Sequence, residues 1–275
     1  MRNYLIALTV ILGLYSCQGN ESKQSTDKAT QSIASDLAID HFNIWVENPT
    51  KAKAKLTELG FISVPDSLSR IHYGQGTAGR YFYFLNNYLE LIFVYNENEL
   101  KENTVQNPQL DFAERAAFTN NGVSPFSIAL KVKGYSIEKI PFEKVKYHQE
   151  WMEENANIYS AKSSKTNLQE PSVFVVYPEI ESDRFETMED LVKIPEEYAL
   201  WREFFKHPNG AKKVTRITIT STNLDLSSST MRALNGIENL TIESGKEHLM
   251  ELYFDQKIQG KTYDLRPDLP LIIHL

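Results

Sequence analysis

Cysteine is almost missing: Cys17 is the one thiol in a chain of 275 residues. No intrachain disulfide can form, and a folded domain beyond Cys17 has neither a thiolate zinc site nor a cysteine nucleophile. Basic charge is also short. Lys and Arg number 29 against 36 Asp and Glu, a formal net charge of −7, which offers no global attraction to nucleic acid or anionic lipid. Long apolar runs are scarce, and the one near the start, Tyr4 to Tyr15, falls short of the ~20 apolar residues that span a bilayer. There is no Gly-x-Ser-x-Gly elbow and no His-Glu-x-x-His pair, so serine-hydrolase and zinc-protease chemistry have no support. The glycine-rich stretch Gly74-Gln75-Gly76-Thr77-Ala78-Gly79 lacks a P-loop lysine and leads into a strand, which argues against phosphate cradling.

What is present at the N-terminus is ordered. Arg2 precedes the apolar stretch, which has the length of a signal h-region. Leu14-Tyr15-Ser16-Cys17 then resembles the lipobox of a bacterial lipoprotein. That resemblance implies residues 1–16 as a signal peptide, acylation (palmitate among the chains) at Cys17, and a lipid anchor to the bacterial cell envelope. Two or more acyl chains hold a protein stably at a membrane, whereas one binds marginally. Gln18 in place of Asp favours the outer membrane by resemblance to proteobacterial sorting rules. Residues 17–36 are nearly all polar and cannot bury enough surface to offset their ordering entropy. They read as a flexible linker. The remainder has ordinary globular composition, with 41% hydrophobic and 24% charged residues in the whole chain.

The folded part opens on a strand, Leu37 to Val46, with apolar and polar residues alternating at period two. Asn48-Pro49-Thr50 caps an expected helix from Lys51 to Leu59, ended by Gly60. Short strands are expected at Phe61–Val64, Arg80–Leu85 and Tyr88–Tyr95, the last two joined at Asn86-Asn87. The order is β-α-β-β-β. It recurs with a strand at Pro125–Val132, a helix around Ile137 to Met152 and a strand at Ser172–Tyr177. A third copy runs from Val214–Thr220 through a helix at Ser229–Leu234 to strands at Leu240–Ile242, His248–Phe254 and Leu271–His274. The fold class is therefore α+β, with repeated βαβββ units forming curved mixed sheets. The expected domains are 37–180 (two units), a helical insertion at 181–212 and a third βαβββ-like unit at 213–275.

Ile39-Asp40-His41-Phe42-Asn43-Ile44 and Tyr88-Leu89-Glu90-Leu91, in this element order, resemble the glyoxalase-like, or vicinal oxygen chelate, superfamily. Gly76-Thr77-Ala78-Gly79-Arg80, Ser124-Pro125-Phe126, His207-Pro208-Asn209-Gly210-Ala211 and Leu265-Arg266-Pro267-Asp268-Leu269-Pro270-Leu271 are similar to a branch of largely unassigned function. The resemblance implies paired units curled around a divalent ion (Zn, Ni, Fe or Mn) held by His and Glu from first and last strands. His41 and Glu90 match those two positions in the first unit. His41 shares strand parity with Asn43 and Trp45, so both ligands can face one concave surface. The second unit offers Ser127, Val175 and Val176 at the corresponding places, and the third Arg216 and Leu271 to Ile273 with His274 nearby. His72, Glu251 or His274 could add a third ligand. Without a metal, His41 reads as a hydrogen-bonded strand histidine and Glu90 as a half-buried acid paired with Arg80 or another base.

His72, Arg80 and Arg216 are the expected ligand-pocket residues, with Arg80 reading an anionic group through its fork. Tyr81, Phe82, Tyr83, Phe84, Phe93 and Tyr95 supply core on one face and pocket lining on the other. His207-Pro208-Asn209-Gly210 reads as a tight turn. The expected function is a membrane-anchored lipoprotein binding a small anionic ligand in a cleft with a degenerate metal site. The alternatives are a metal-dependent lyase, isomerase or dioxygenase, and a structural envelope lipoprotein. Expected partners are the membrane, a small molecule and a second copy of the chain, and no nucleic acid.

Overall fold

The computed structural model describes residues 35–177 and 184–275. Cys17, the signal segment and most of the 17–36 linker lie outside the described residues. Eight strands form one sheet: β1 (Leu37–Trp45), β2 (Ile71–His72), β3 (Thr77–Tyr83), β4 (Tyr88–Val94), β5 (Phe126–Val132), β6 (Lys144–Tyr147), β7 (Ile158–Ala161) and β8 (Ser172–Val175). Their order across the sheet is β2-β3-β4-β1-β5-β8-β7-β6. Each half is a four-stranded unit in which the first strand lies parallel to the last, β1 beside β4 and β5 beside β8. The halves meet where β1 runs antiparallel to β5. The α+β class expected from the sequence, with a mixed sheet, is present.

A one-residue irregularity in β1 decides what faces the site. Ile39 pairs with Leu130 and His41 with Ala129, so Asp40 is an extra residue in the ladder. A bulge of this kind exchanges the two faces of a strand. Leu37 and Ile39 pack into the main core before it, and Phe42, Ile44 and Val46 after it. His41, Asn43 and Trp45 are thereby turned to the opposite, concave face. Helix α1 (Pro49–Glu58) follows, with the Asn48 side chain accepting from the Lys51 N–H and proline in the first turn.

Several sequence expectations change. Phe61–Val64 is not a strand: Ile62 N–H donates to His207 Nδ1 and Val64 N–H to the Tyr81 carbonyl, single tethers that build no ladder. The expected helix at Ile137–Met152 is absent. Pro141 interrupts it, and short 3-10 turns at Lys133–Tyr135 and Ile137–Lys139 give way to β6. Helices α2 (Glu97–Gln106), α3 (Phe112–Ala116) and α4 (Phe118–Asn121) occupy the connection between the units. The described part of the 181–212 insertion forms 3-10 turns at Glu189–Lys193 and Glu196–Phe205.

The C-terminal strands are β9 (Val214–Thr222), β10 (Leu240–Gly245), β11 (Leu249–Phe254), β12 (Thr262–Asp264) and β13 (Leu271–His274), with α5 (Ser229–Leu234) after β9. Their order is β10-β9-β11-β13-β12. Here β9 pairs with β10 and β11 and does not reach β13, so this unit shares the element types of the first two but not their strand order. Its inner residues Ile217, Ile219, Met250, Leu252, Leu271 and Ile273 join one core with Phe42, Ile44, Ala52 and Leu56. The five-stranded sheet therefore backs the convex side of the eight-stranded one.

Candidate functional site

The concave side of the eight-stranded sheet encloses a cavity of about 620 Å³, within the range of small-molecule sites. Strand register arranges its floor in rows. Glu90 on β4 lies beside Asn43 on β1, Asn43 beside Ser127 on β5, and Ser127 beside Ser172 on β8. All four line the cavity and all are buried. Adjacent strands sit ~4.8 Å apart, so this polar row runs about 14 Å across the floor. An aromatic row flanks it: Tyr83 pairs with Tyr88, Tyr88 stacks on His41 with centroids 4.3 Å apart, and Phe174 meets His41 edge-on at 5.7 Å. Trp45 and Ile92 flank the other side. The 3-10 segment supplies Ile194, Tyr198, Trp201 and Phe205 as a further wall.

The titratable floor groups have distinct supports. His41 Nδ1 is 2.6 Å from Asp40 Oδ1. Asp40 is fully buried and its other oxygen takes Arg184 Nη2 at 3.0 Å. The carboxylate fixes the imidazole with Nδ1–H toward Asp40 and leaves Nε2 as the free ring nitrogen. Glu90 accepts from the Tyr81 hydroxyl at 3.2 Å, and burial raises its carboxyl above the usual value, offset in part by His41. A chain of contacts continues behind it. Tyr81 Oη meets His72 Nε2 at 3.2 Å, and His72 Nδ1 meets Thr77 Oγ1 at 2.9 Å. Gln75 donates to Thr77 at 2.8 Å and Tyr147 to Gln75 at 3.2 Å. Burial pushes His72 down to about 3, so it is a neutral link. Among the described residues, Asn43 Oδ1 and Trp151 Nε1 are buried without a hydrogen-bond partner, which is costly unless something enters to meet them.

The expected site residues separate into two groups. His41, Glu90 and His72 line the cavity together. Arg80 does not: Tyr81 and Tyr83 take the cavity face of β3, and Arg80, the residue before Tyr81, points away, over the Phe93 ring and onto Asp66 Oδ1 at 3.1 Å. It is therefore not the partner of Glu90. Arg216 belongs to the five-stranded sheet, 3.6 Å above the Tyr253 ring, beside the Glu251–His274 pair at 2.8 Å. Neither Glu251 nor His274 lines the cavity. His207 is more than a turn residue, because its two nitrogens join Ile62 N–H and the Tyr83 carbonyl, each at 2.9 Å.

Asn43, Ser172 and Arg70 were not singled out from the sequence as site residues. The parity shared by His41 and Asn43 was the available signal for Asn43. Ser172 and Arg70 become site residues only through strand pairing and loop placement.

The donor set does not fit a catalytic divalent ion. Such an ion takes three protein ligands. Among the described residues no group of three His, Cys, Asp or Glu side chains is placed to hold one. His41 and Glu90 are joined on the floor by an amide and two hydroxyls, and both nitrogens of His72 are engaged.

No protein-family model matches this sequence, and no curated protein matches it. Among solved structures, the chain is similar to a hypothetical protein from Staphylococcus aureus at 14% identity and TM-score 0.47, over 86% of this chain and 98% of that one. It is also similar to methylmalonyl-CoA epimerase from Mycobacterium tuberculosis at 15% identity and TM-score 0.34, over 51% of this chain and 87% of that one. A Streptomyces coelicolor methylmalonyl-CoA epimerase variant in complex with 2-nitronate-propionyl-CoA matches at 14% identity and TM-score 0.33, over 50% of this chain and 95% of that one.

Proposed function

We propose that the chain binds a small organic molecule in the concave cavity without a resident metal. The observation that carries this reading is the buried polar row Glu90-Asn43-Ser127-Ser172 between aromatic rows, with an unpaired amide oxygen at its centre. A buried acceptor without a partner is uncommon in a settled interior, and a ligand donor supplies the missing bond. All three tryptophans of the chain, Trp45, Trp151 and Trp201, line the cavity, so intrinsic fluorescence reports on its contents. Titration with the neutral aromatic probe 2-phenylethanol should change tryptophan emission in the wild type. It should fail to do so in Ser127→Phe, which fills the floor, with near-UV circular dichroism verifying the fold. Equal responses from the two proteins would sink the reading.

Asp40 and His41 favour a second reading, metal-free proton transfer. A buried carboxylate orienting an imidazole whose other nitrogen faces a cavity is the arrangement of a general base. Deuterium exchange from solvent into a C–H bond of a bound ligand, abolished in His41→Ala, tests it. The sequence also supports envelope attachment through acylated Cys17, at the outer membrane. Incorporation of a palmitate analogue, lost in Cys17→Ser, tests that proposal.

A further inference from the structure

The cavity floor is built for a ligand that brings hydrogen-bond donors and positive charge. Its central groups offer acceptors: the Glu90 carboxylate, the unpaired Asn43 Oδ1 and His41 Nε2, left free by the Nδ1–Asp40 bond. Glu90 and Asn43 are neighbours on adjacent strands, and His41 lies two residues from Asn43 on the same face. Among the described residues, the basic group nearest the Glu90 carboxylate is His72 at 3.8 Å. Its nitrogens are held by Tyr81 and Thr77, and it is kept neutral by burial. A buried carboxylate without a cation is costly to ionise.

Neither of the two arginines that line the cavity forms an ion pair with Glu90, although the charge of Arg70 offsets part of the burial cost of its carboxylate. Arg115 is spent on Asp111 and on the carbonyls of Ser124, Leu168 and Ser164. Arg70 is an exposed side chain at the rim, 5.4 Å over the Trp151 ring. Among the described residues no lysine lines the cavity.

The walls beside Glu90 suit a cation. Tyr81, Tyr83 and Tyr88 stand within 5.1 to 6.4 Å of one another, centroid to centroid. Trp201 and Phe205 sit 5.9 and 5.6 Å from Tyr83. Grouped aromatic faces attract an ammonium through their quadrupoles, most strongly when it is desolvated. A protonated primary amine carries three N–H donors and one charge, matching three acceptors and one buried acid that has no ion-pair partner of its own beyond the neutral His72. We propose that the cavity selects a small aromatic or aliphatic primary amine, its ammonium seated on Glu90 and Asn43 beneath the tyrosine faces. This rests on the cavity being a binding site and names the ligand class.

Three probes of one shape and different charge test it: 2-phenylethylamine, 2-phenylethanol and phenylacetate, titrated into the full chain near neutral pH by calorimetry and tryptophan emission. The amine should bind wild type at least about tenfold more tightly than the alcohol, ~1.4 kcal/mol, and phenylacetate most weakly. Glu90→Gln should remove that preference, the amide keeping the shape and losing the charge, so that the amine and 2-phenylethanol bind the variant within about twofold of each other. Phenylacetate binding as tightly as the amine would overturn the proposal while leaving the cavity as a binding site. An unchanged amine preference in Glu90→Gln would do the same. Absence of binding by all three probes would overturn both readings. The wild-type ranking decides the matter even where the variant fails to fold.

Discussion

Gly79 lacks a side chain because its space is taken. A Cβ there would lie 2.4 Å from both Glu90 Oε1 and the Tyr81 hydroxyl, closer than any real contact. The glycine thus makes room for the acid and its donor, and Gly76, with φ +80, lets the N-terminal end of α2 approach. Gly79→Ala should cost about 1–3 kcal/mol by overpacking, measured by urea denaturation, and should weaken probe binding by displacing Glu90. A variant as stable as wild type with unchanged affinity would show that the pair can move aside freely. At this scale His41 and Glu90 were legible because a histidine on a first strand and an acid on a last strand stand out from apolar neighbours. Arg80 was misplaced although Tyr81 and Tyr83 beside it carried the parity that turns it outward. Asn43 and the two serines were quiet because isolated polar residues in strands are ordinary, and only register brings them into one row.

Elements depend on a few tethers that no local pattern announces. His207, at the end of the 3-10 wall, ties β3 to the 61–64 segment by accepting from Ile62 N–H and donating to the Tyr83 carbonyl. Burial pushes it down to about 4 from 6.5. In this window the unfolded chain binds more protons, so the stability this group contributes is present above pH ~6.5 and is lost as pH falls towards 4. The shift corresponds to about 3 kcal/mol, at 1.36 kcal/mol for each pKa unit. His207→Gln should flatten the acid side of the stability profile between those values, as measured by denaturation at stepped pH. His72, which titrates lower still, keeps part of the slope. An identical profile in both proteins would refute the assignment. The capped helix α1 was read from Asn48-Pro49 because its signals are local. The missing helix at 137–152 was misread because Pro141 outweighs its apolar spacing, and residues 144–147 pair instead with β7, the next strand.

For the whole molecule, the two sheets share one core. Phe254 meets Phe61 and Phe84 at 5.4 and 4.7 Å, and Asn86 exchanges hydrogen bonds with Val214 at 2.8 and 3.0 Å. A fragment ending at residue 212 would expose the apolar back of the first sheet, including Phe42, Ile44 and Leu56. It should lose cooperative unfolding and near-UV circular dichroism while keeping much of its far-UV signal. A fragment that unfolds with the sharp transition of the full chain would show the first two units to be self-sufficient.

The sequence by itself determined the α+β class, the capped helix after the first strand and the sparse set of groups able to do chemistry. Those follow from alternation, caps and residue type, which act within a few positions. Only the tertiary structure decided that the first two units pair through β1 and β5 while the third keeps its own strand order. It also decided that a bulge at Asp40 exchanges the faces of β1, and that Glu90 ends among tyrosines and acceptors, away from Arg80. Those outcomes depend on hydrogen-bond register between strands far apart in the chain, where a one-residue step reverses every side chain.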